Sequence, residues 1–420
     1  MVYCIKAKQR GDSMTIIECF ENAAFENTIS ALTANPDKII YVGADPQMEN
    51  RVNKHVQFLR SKNISPTVEI CVINPNNLQE IVITLSDIIS RENNCIVDVS
   101  GGEDLVLMAV GMVYQQYRDT HPFQIQRVDV ASGQIIDCDG DDTTTFSGRI
   151  QMTVDELIAL HGGIIVPENP QPSPSSNSAD IDSLWDISKE NSGKWNKFIG
   201  YLNEFRGKAD GGSTDLTVQI NINQLSKSVH DFADKFETVQ NYLLRLEREG
   251  LVLDYHISDN CLHFTYKNEL ISRAMSRSGN VLEMKVFFEA RDLTVNGSPY
   301  FNSCYLGVNI DWDGVIHDTY QQEKDTRNEI DVVLMRGLTP IFISCKNGTI
   351  HEGEPYKLCA VAHRFGGKHA KKALIATDFP ESKKAELSLL QRASDMDFTF
   401  VPEAAQLSKT DWKNLLIQLT

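Results

Sequence analysis

The sequence predicts an α/β protein built as a doubly wound parallel sheet, a helical middle unit and a second α/β layer. Three features predict it. Over Met14–Ile165, short β-branched runs alternate with stretches of helical periodicity, the pattern of a parallel sheet covered on both faces. A stretch with four prolines and four serines, Val166–Asp180 (VPENPQPSPSSNSAD), then interrupts every periodicity and reads as a flexible or extended linker. Beyond residue 273 the alternation resumes around one apolar hairpin. At 420 residues the chain can bury two or three cores, with expected limits 1–165, 166–180, 181–272 and 273–420.

In chain order, Thr15–Phe20, Lys38–Val42, Thr67–Ile73, Cys95–Val99 and Ile125–Asp129 read as strands, and Gly133–Asp137 folds back on the last of them. Glu26–Thr33, Met48–Lys62, Leu78–Ser90 and Leu105–Arg118 carry helical spacing between them. Ligands of such sheets bind beyond the carboxyl ends of the strands. The loops there are Glu18-Cys19-Phe20-Glu21-Asn22, Gly43-Ala44-Asp45 and Asp98-Val99-Ser100-Gly101-Gly102-Glu103-Asp104. In the last, two glycines between strand and helix let backbone N–H groups and a helix N-terminus face a phosphate. The same glycines also serve a purely structural turn, and the spacing is not that of a dinucleotide fingerprint.

Ile181–Tyr266 reads as a winged helix: helices over Trp195–Phe205, Ile222–Asp231 and Phe236–Arg248, then a hairpin of Leu251–His256 and Cys261–Tyr266. That arrangement can seat a helix in a DNA groove. Here the second helix of the pair carries Glu237, Glu247 and Glu249 against Arg245 and Arg248, which favours a structural connector or dimer element over a DNA reader.

The hairpin is Asn328–Asn347, NEIDVVLMRGLTPIFISCKN. A tight turn at Arg336-Gly337-Leu338-Thr339 would set Met335 opposite Pro340, Asp331 opposite Ser344 and Glu329 opposite Lys346. Glu329, Asp331, Ser344 and Lys346 would then share one face. Acids and a lysine are costly to bury in an apolar hairpin unless paired or bound to metal, so an ion pair and a catalytic site both fit. Upstream, Arg273–Leu293 has helical spacing and carries Glu283 early. Downstream, Glu354–Phe365 is a helix stopped by Gly366-Gly367, followed by Lys372–Thr377 (strand), Lys383–Ala393 (helix), Phe398–Val401 (strand) and Leu407–Gln418 (helix). Arg364-Phe365-Gly366-Gly367-Lys368 fits a substrate-backbone contact or a glycine helix stop flanked by solvated basic residues.

Hydrophobic content of 41% and charged content of 23% are ordinary for a globular chain. No apolar run reaches the roughly 20 residues of a membrane span, and Met1–Arg10 lacks a secretory core. Nine cysteines without a CxxC pair argue against a zinc or disulfide framework and for a reducing cytoplasm. A net charge of −17 excludes a general nucleic-acid-coating protein. The charge is uneven: residues 1–165 carry 12 Lys/Arg against 22 Asp/Glu, residues 273–420 carry 18 against 19. The C-terminal region, with Arg364, Lys368, Lys371 and Lys372, is where a polyanion would be tolerated.

Acid on a helix, Asp on a strand and a short hairpin to Lys346, fifteen residues past Asp331, resemble the PD-(D/E)XK nucleases. That resemblance implies catalytic roles for Glu283, Asp331, Ser344 and Lys346, with Mn2+ or Mg2+ held by Glu283 and Asp331. The family's acid-any-Lys is Ser344-Cys345-Lys346 here, so a further acid has to come from Glu329, Glu352 or Glu354. The stretch Ile96–Leu105, with Asp98 and the Ser100-Gly101-Gly102 turn, is similar to the CARF domains that sense cyclic oligoadenylate in type III CRISPR defence. This implies ligand contacts at Glu18, Cys19, Phe20, Asn22, Gly43, Ala44, Ser100, Gly101, Gly102, Glu103 and Asp104. Glu103 and Asp104 depart from the family, which carries Lys or Thr more often after the glycines. Taken together, the chain resembles cyclic-tetra-adenylate-activated CARF nucleases: homodimers that cut single-stranded DNA or RNA, or nick DNA. The competing expectation is a ligand-sensing transcription regulator whose C-terminal domain is inactive because Ser344 replaces the acid, and a third is that the N-terminal pocket degrades its own ligand.

Overall fold

The computed structural model describes residues 13–21, 26–44, 47–140, 142–146, 148–168, 170–208, 216–317, 326–348, 350–351, 353–378 and 382–420. Asn22, Asp45 and Glu352 lie outside them. The chain is a mixed α/β fold with two large sheets. The first is formed by β1 (Thr15–Cys19), α1 (Glu26–Ala34), β2 (Lys38–Gly43), α2 (Met48–Ser61), β3 (Thr67–Val72), α3 (Leu78–Arg91), β4 (Cys95–Asp98), α4 (Asp104–Tyr117), β5 (Gln124–Asp129), β6 (Gln134–Asp137) and β7 (Thr143–Thr145). Its strand order is β3-β2-β1-β4-β5-β6-β7, parallel through β5 and antiparallel beyond. β1 and β2 are buried almost throughout, as strands covered by helices on both faces must be.

Next come α5 (Val154–Leu160), β8 (Ile164–Val166), α6 (Ser178–Lys189), α7 (Ser192–Lys208), β9 (Thr217–Asn221), α8 (Ile222–Ser228), α9 (Phe232–Arg248), β10 (Val252–Ser258), β11 (Cys261–Tyr266) and α10 (Glu269–Ala274). β9, β10 and β11 form a small antiparallel sheet in the order β10-β11-β9. Last come α11 (Asn280–Arg291), β12 (Thr294–Val295), β13 (Ser298–Pro299), β14 (Ser303–Asp311), β15 (Arg327–Arg336), β16 (Thr339–Lys346), α12 (Glu354–Gly366), a 3-10 turn (Gly367–His369), β17 (Lys371–Ala376), α13 (Lys383–Asp395), β18 (Thr399–Val401) and α14 (Lys409–Gln418).

The second large sheet runs β18-β17-β16-β15-β14-β8. β8 lies at the expected end of the first unit, yet it pairs with β14 and so belongs to the C-terminal sheet. The Pro/Ser-rich stretch is extended but pinned along that edge. Glu168 pairs with Arg327 at 2.7 Å, and the Gln171 side chain donates to the Leu306 carbonyl at 2.9 Å and accepts its N–H at 2.8 Å. Proline removes donors that a ladder would use, and side chains take over the bonding.

The two faces of the C-terminal sheet have different partners. One face packs Leu306, Val332, Leu334, Ile341 and Ile343 into a core with α11 and the helical middle unit, including Trp195, Phe198 and Leu243. The other packs Val308, Val333 and Phe342 beneath α12, and this core also takes in Ile29 of α1 and Phe58 of α2. The N-terminal unit therefore sits directly on the C-terminal sheet through an apolar contact.

Two candidate functional sites

Strand order in the first sheet reverses between β1 and β4, the topological switch point at which open α/β sheets bind ligands. Register sets Tyr41, Glu18, Asp98 and Gln126 side by side across four strands. Asp98 is fully buried and organises the turn that follows. Its Oδ1 accepts the Ser100 N–H at 2.8 Å, and its Oδ2 accepts from the Ser30 hydroxyl of α1 and from the Gln126 amide at 3.1 Å. The Ser100 hydroxyl accepts the Val128 N–H at 2.6 Å.

The glycines are demanded by close approach. A Cβ on Gly101 would lie 2.8 Å from the Cys19 carbonyl oxygen, and Gly102, at φ +103°, would place one 2.8 Å from the Cys19 Cβ. Glu18 is fully buried and neither carboxylate oxygen has a hydrogen-bond partner. Burial, and then the neighbouring Asp98, push its carboxyl well above the usual range.

Of the expected ligand residues, Glu18, Cys19 and Phe20 are buried. Gly43 and Gly101 are buried as well, Ala44, Ser100 and Gly102 are half-buried, and Glu103 and Asp104 are exposed at the start of α4. Asn22 lies outside the described residues. Among the described residues of this set, the exposed part is the first turn of α4, beside the half-buried Ser100 and Gly102. Sequence reading placed the helix α1 but not its part in this site, where Ser30 reaches Asp98 across 68 residues.

The second site is built on β15 and β16. Gly337, at φ +62°, sits first in a two-residue turn, as a type II′ hairpin requires. The register is Met335 to Pro340 and Val332 to Ile343, which carries Asp331 to Ser344. Asp331 Oδ2 accepts the Cys345 N–H at 2.6 Å and the Ser344 hydroxyl at 3.2 Å. Lys346 Nζ is 3.0 Å from Glu354 Oε2, at the start of α12. A cleft of about 280 Å³ opens here, lined among others by Glu329, Asp331, Ser344, Lys346, Glu354 and Lys357.

Glu283, in the first turn of α11, completes the group. Burial, and then Asp331 and Glu329, raise its carboxyl to about 8. Burial also raises Asp331, although Lys346 and the bonds from Cys345 and Ser344 oppose that. Of this pair Asp331 ionises first, because it alone receives those bonds. Lys346 is raised: burial lowers it, but Asp331 and Glu354 outweigh that.

Glu329 is held more loosely, 3.8 Å from an exposed Arg277. Among the described residues no three His, Cys, Asp or Glu converge as a metal-ion group. The donor chemistry of Glu283 and Asp331 nonetheless fits a hard divalent cation: oxygen ligands, buried, with mutual repulsion that a positive charge relieves. One part of the neighbourhood escaped sequence reading. Asn347, next to Lys346, donates to Asn196 of α7 at 2.9 Å and to the Ser278 carbonyl at 3.0 Å. This ties the end of β16 to the loop before Glu283, with a partner 151 residues away that no local pattern marks. Lys368 and Arg364, one expected option being substrate contact, lie away from the cleft. Lys368 pairs with Glu26 of α1 at 3.0 Å, and Arg364 lies over the Phe365 ring.

No family model matches the sequence, and no curated protein matches it either. Solved structures do share its fold. The protein VC1899 from Vibrio cholerae is similar at a TM-score of 0.69 and 16% identity, covering 97% of each chain. Can2 from Sulfobacillus thermosulfidooxidans, solved in complex with cyclic tetra-adenylate, is similar at a TM-score of 0.65 and 18% identity, covering 97% of this chain and 99% of that one. Among the described residues no helix is long and apolar enough to cross a membrane.

Proposed function

We propose that this chain is a metal-dependent nuclease of type III CRISPR antiviral defence, switched on by a cyclic oligoadenylate. Residues 1–165 are the CARF sensor, 181–272 a winged-helix connector, and 273–420 a PD-(D/E)XK nuclease. The observation that carries this is the meeting of Asp331 and Lys346, from two strands, in one cleft, with Glu283 of a neighbouring helix close enough for both charges to act on its carboxyl. Support for the sensor is the Ser100–Gly102 turn at the switch point and the whole-chain likeness in fold to a protein solved with cyclic tetra-adenylate.

In this reading the chain's own groups divide the work. Asp331 is oriented by the Cys345 N–H and Ser344 hydroxyl, so its second oxygen is directed rather than free to rotate. Glu283 keeps a proton at neutral pH until positive charge enters the cleft. Lys346 sets an ammonium where charge builds on the scissile phosphate, which is where a cation lowers the barrier most. That ammonium is paired with Glu354, which gives stimulation a defined local target. Glu283 and Asp331, with Glu329 and Glu354 as further acids, would hold a divalent ion, which would acidify a water and steady phosphate charge.

The sensor works as a homodimer. A ring of near two-fold symmetry fits a two-fold pair of Ser100–Gly102 turns, and α4, which starts at that turn, exposes Leu107, Met108 and Met112 on one face for a second copy. The test is a cleavage panel of single- and double-stranded DNA and RNA with Mn2+ or Mg2+, with and without cyclic tetra-adenylate. Ligand-stimulated, metal-dependent cleavage is expected. Ligand binding with no cleavage of any substrate overturns the nuclease and leaves the regulator reading, which the Ser344 substitution favours.

A further inference from the structure

α1 and α12 form a mechanical connection between the two sites. Glu26 opens α1 and is 3% exposed. Its Oε1 meets Lys368 Nζ at 3.0 Å and His369 Nε2 at 2.8 Å, both from the 3-10 turn that closes α12. One helical turn further along α1, the Ser30 hydroxyl bonds Asp98, which itself caps Ser100. The switch-point turn is therefore linked to the end of α12 through three side chains, Asp98, Ser30 and Glu26, and one turn of α1. Burial would push the Glu26 carboxyl up, but His369 and Lys368 more than offset this and hold it below the usual range. The contact is thus a charged one buried on the Glu26 side, and removing its partners leaves a buried carboxylate unpaired.

The other end of α12 carries Glu354, the partner of Lys346. Near its C-terminal end α12 is pinched onto β16: a Cβ on Gly366 would lie 2.8 Å from the Phe342 ring and 3.0 Å from Pro340. Lys368 and His369 lie just beyond that pinch, while Glu354 lies twelve residues before it. At 1.5 Å per residue the long arm is about 18 Å and the short arm a few Å. A shift of a few tenths of an Å on the short arm becomes a shift of an Å or more at Glu354.

Building on the functional reading above, we infer that Glu26 couples the sensor to the nuclease within one chain: ligand at the Ser100–Gly102 turn moves α1, Glu26 carries Lys368 and His369 with it, and α12 pivots at Gly366 to take Glu354 off Lys346. Glu26, Lys368 and His369 are positioning residues and touch no substrate. Coupling of this kind requires an element with two arrangements that both sites bias, and the Lys346–Glu354 pair is that element.

The experiment compares the full-length wild type with Glu26→Ala, with Lys368→Ala plus His369→Ala, and with the conservative Lys368→Arg. Three readouts are taken: cyclic tetra-adenylate binding by calorimetry, ligand stimulation of cleavage, and ligand-induced change in amide exchange over Glu354–Leu358. In wild type, stimulation is on the order of 5–150-fold for ordinary couplings, and both alanine proteins fall to within about twofold of no stimulation. Those proteins keep their ligand affinity and unstimulated rate but lose the exchange response of α12, while Lys368→Arg keeps all three. The double variant, on more exposed side chains, covers the case in which Glu26→Ala fails to fold. Alanine proteins stimulated like wild type overturn the lever. If wild type neither binds the ring nor cleaves, the functional reading itself fails. A wild type that binds the ring without any response in α12 overturns the lever alone.

Discussion

Glu283 is a residue whose chemistry departs far from what its place in the sequence suggests. A glutamate on an amphipathic helix ordinarily titrates near 4.5, and this one is raised to about 8 by burial and by Asp331. Between those values the folded chain keeps a proton that the unfolded chain has released. Its stabilising influence is complete below about 4.5 and is lost as pH rises toward 8, with no further change above. Urea midpoints of metal-free wild type should therefore fall across that window, and Glu283→Gln should flatten the fall; equal slopes in the two proteins would refute the protonated carboxyl. Asp331→Asn and Lys346→Ala should each slow cleavage by about 10²–10³-fold, the usual effect of losing one oriented electrostatic group, with cyclic tetra-adenylate binding intact by calorimetry. Ser344→Asp restores the acid that the nuclease pattern expects. Placed beside Asp331 it should lower the melting temperature without metal, through like-charge repulsion, and enlarge the rise produced by Mn2+. No metal-dependent difference from wild type would show that position 344 does not face the ion.

At the scale of elements, the hairpin and the switch-point turn owe their shapes to different causes. The hairpin register follows from local chemistry: a two-residue turn with Gly337 at positive φ leaves one way to align two apolar strands. Asp331 and Ser344 were therefore legible as neighbours before any fold was known. The Ser100–Gly102 turn is shaped from outside, because its glycines are needed for the approach of Cys19, far away in sequence. Gly101→Ala should cost about 1–3 kcal/mol, as overpacking does, and should weaken ring binding more than it alters metal affinity. Chemical denaturation and calorimetry on the same protein separate the two effects; a fully stable variant would mean that the Cys19 carbonyl yields easily.

Over the whole molecule, the −17 charge and the least acidic C-terminal region suit a protein that engages a polyanion locally rather than along its length. The exposed apolar face of α4 belongs to this scale, since in the proposed homodimer a second copy would cover it. Met108→Glu should shift sedimentation toward the monomer and reduce ring affinity at least tenfold, while wild type binds one ring per two chains. Two rings per dimer would exclude a shared two-fold pocket.

The sequence by itself determined the alternation of strands and helices, the Ser-Gly-Gly turn after the fourth strand and the face shared by Asp331, Ser344 and Lys346. All of these are local: side-chain period, turn chemistry and short spacing set them. Only the tertiary structure decided that β8 joins the C-terminal sheet, that Gln171 is bonded along β14, that Asn347 is tied to Asn196, and that Glu26 of α1 holds the far end of α12. It also decided that Glu18, an expected ligand contact, is fully buried. Periodicity reports which face of an element is apolar but not which distant face covers it. Contacts across more than a hundred residues are chosen by packing, and that choice is made only when the whole chain is folded.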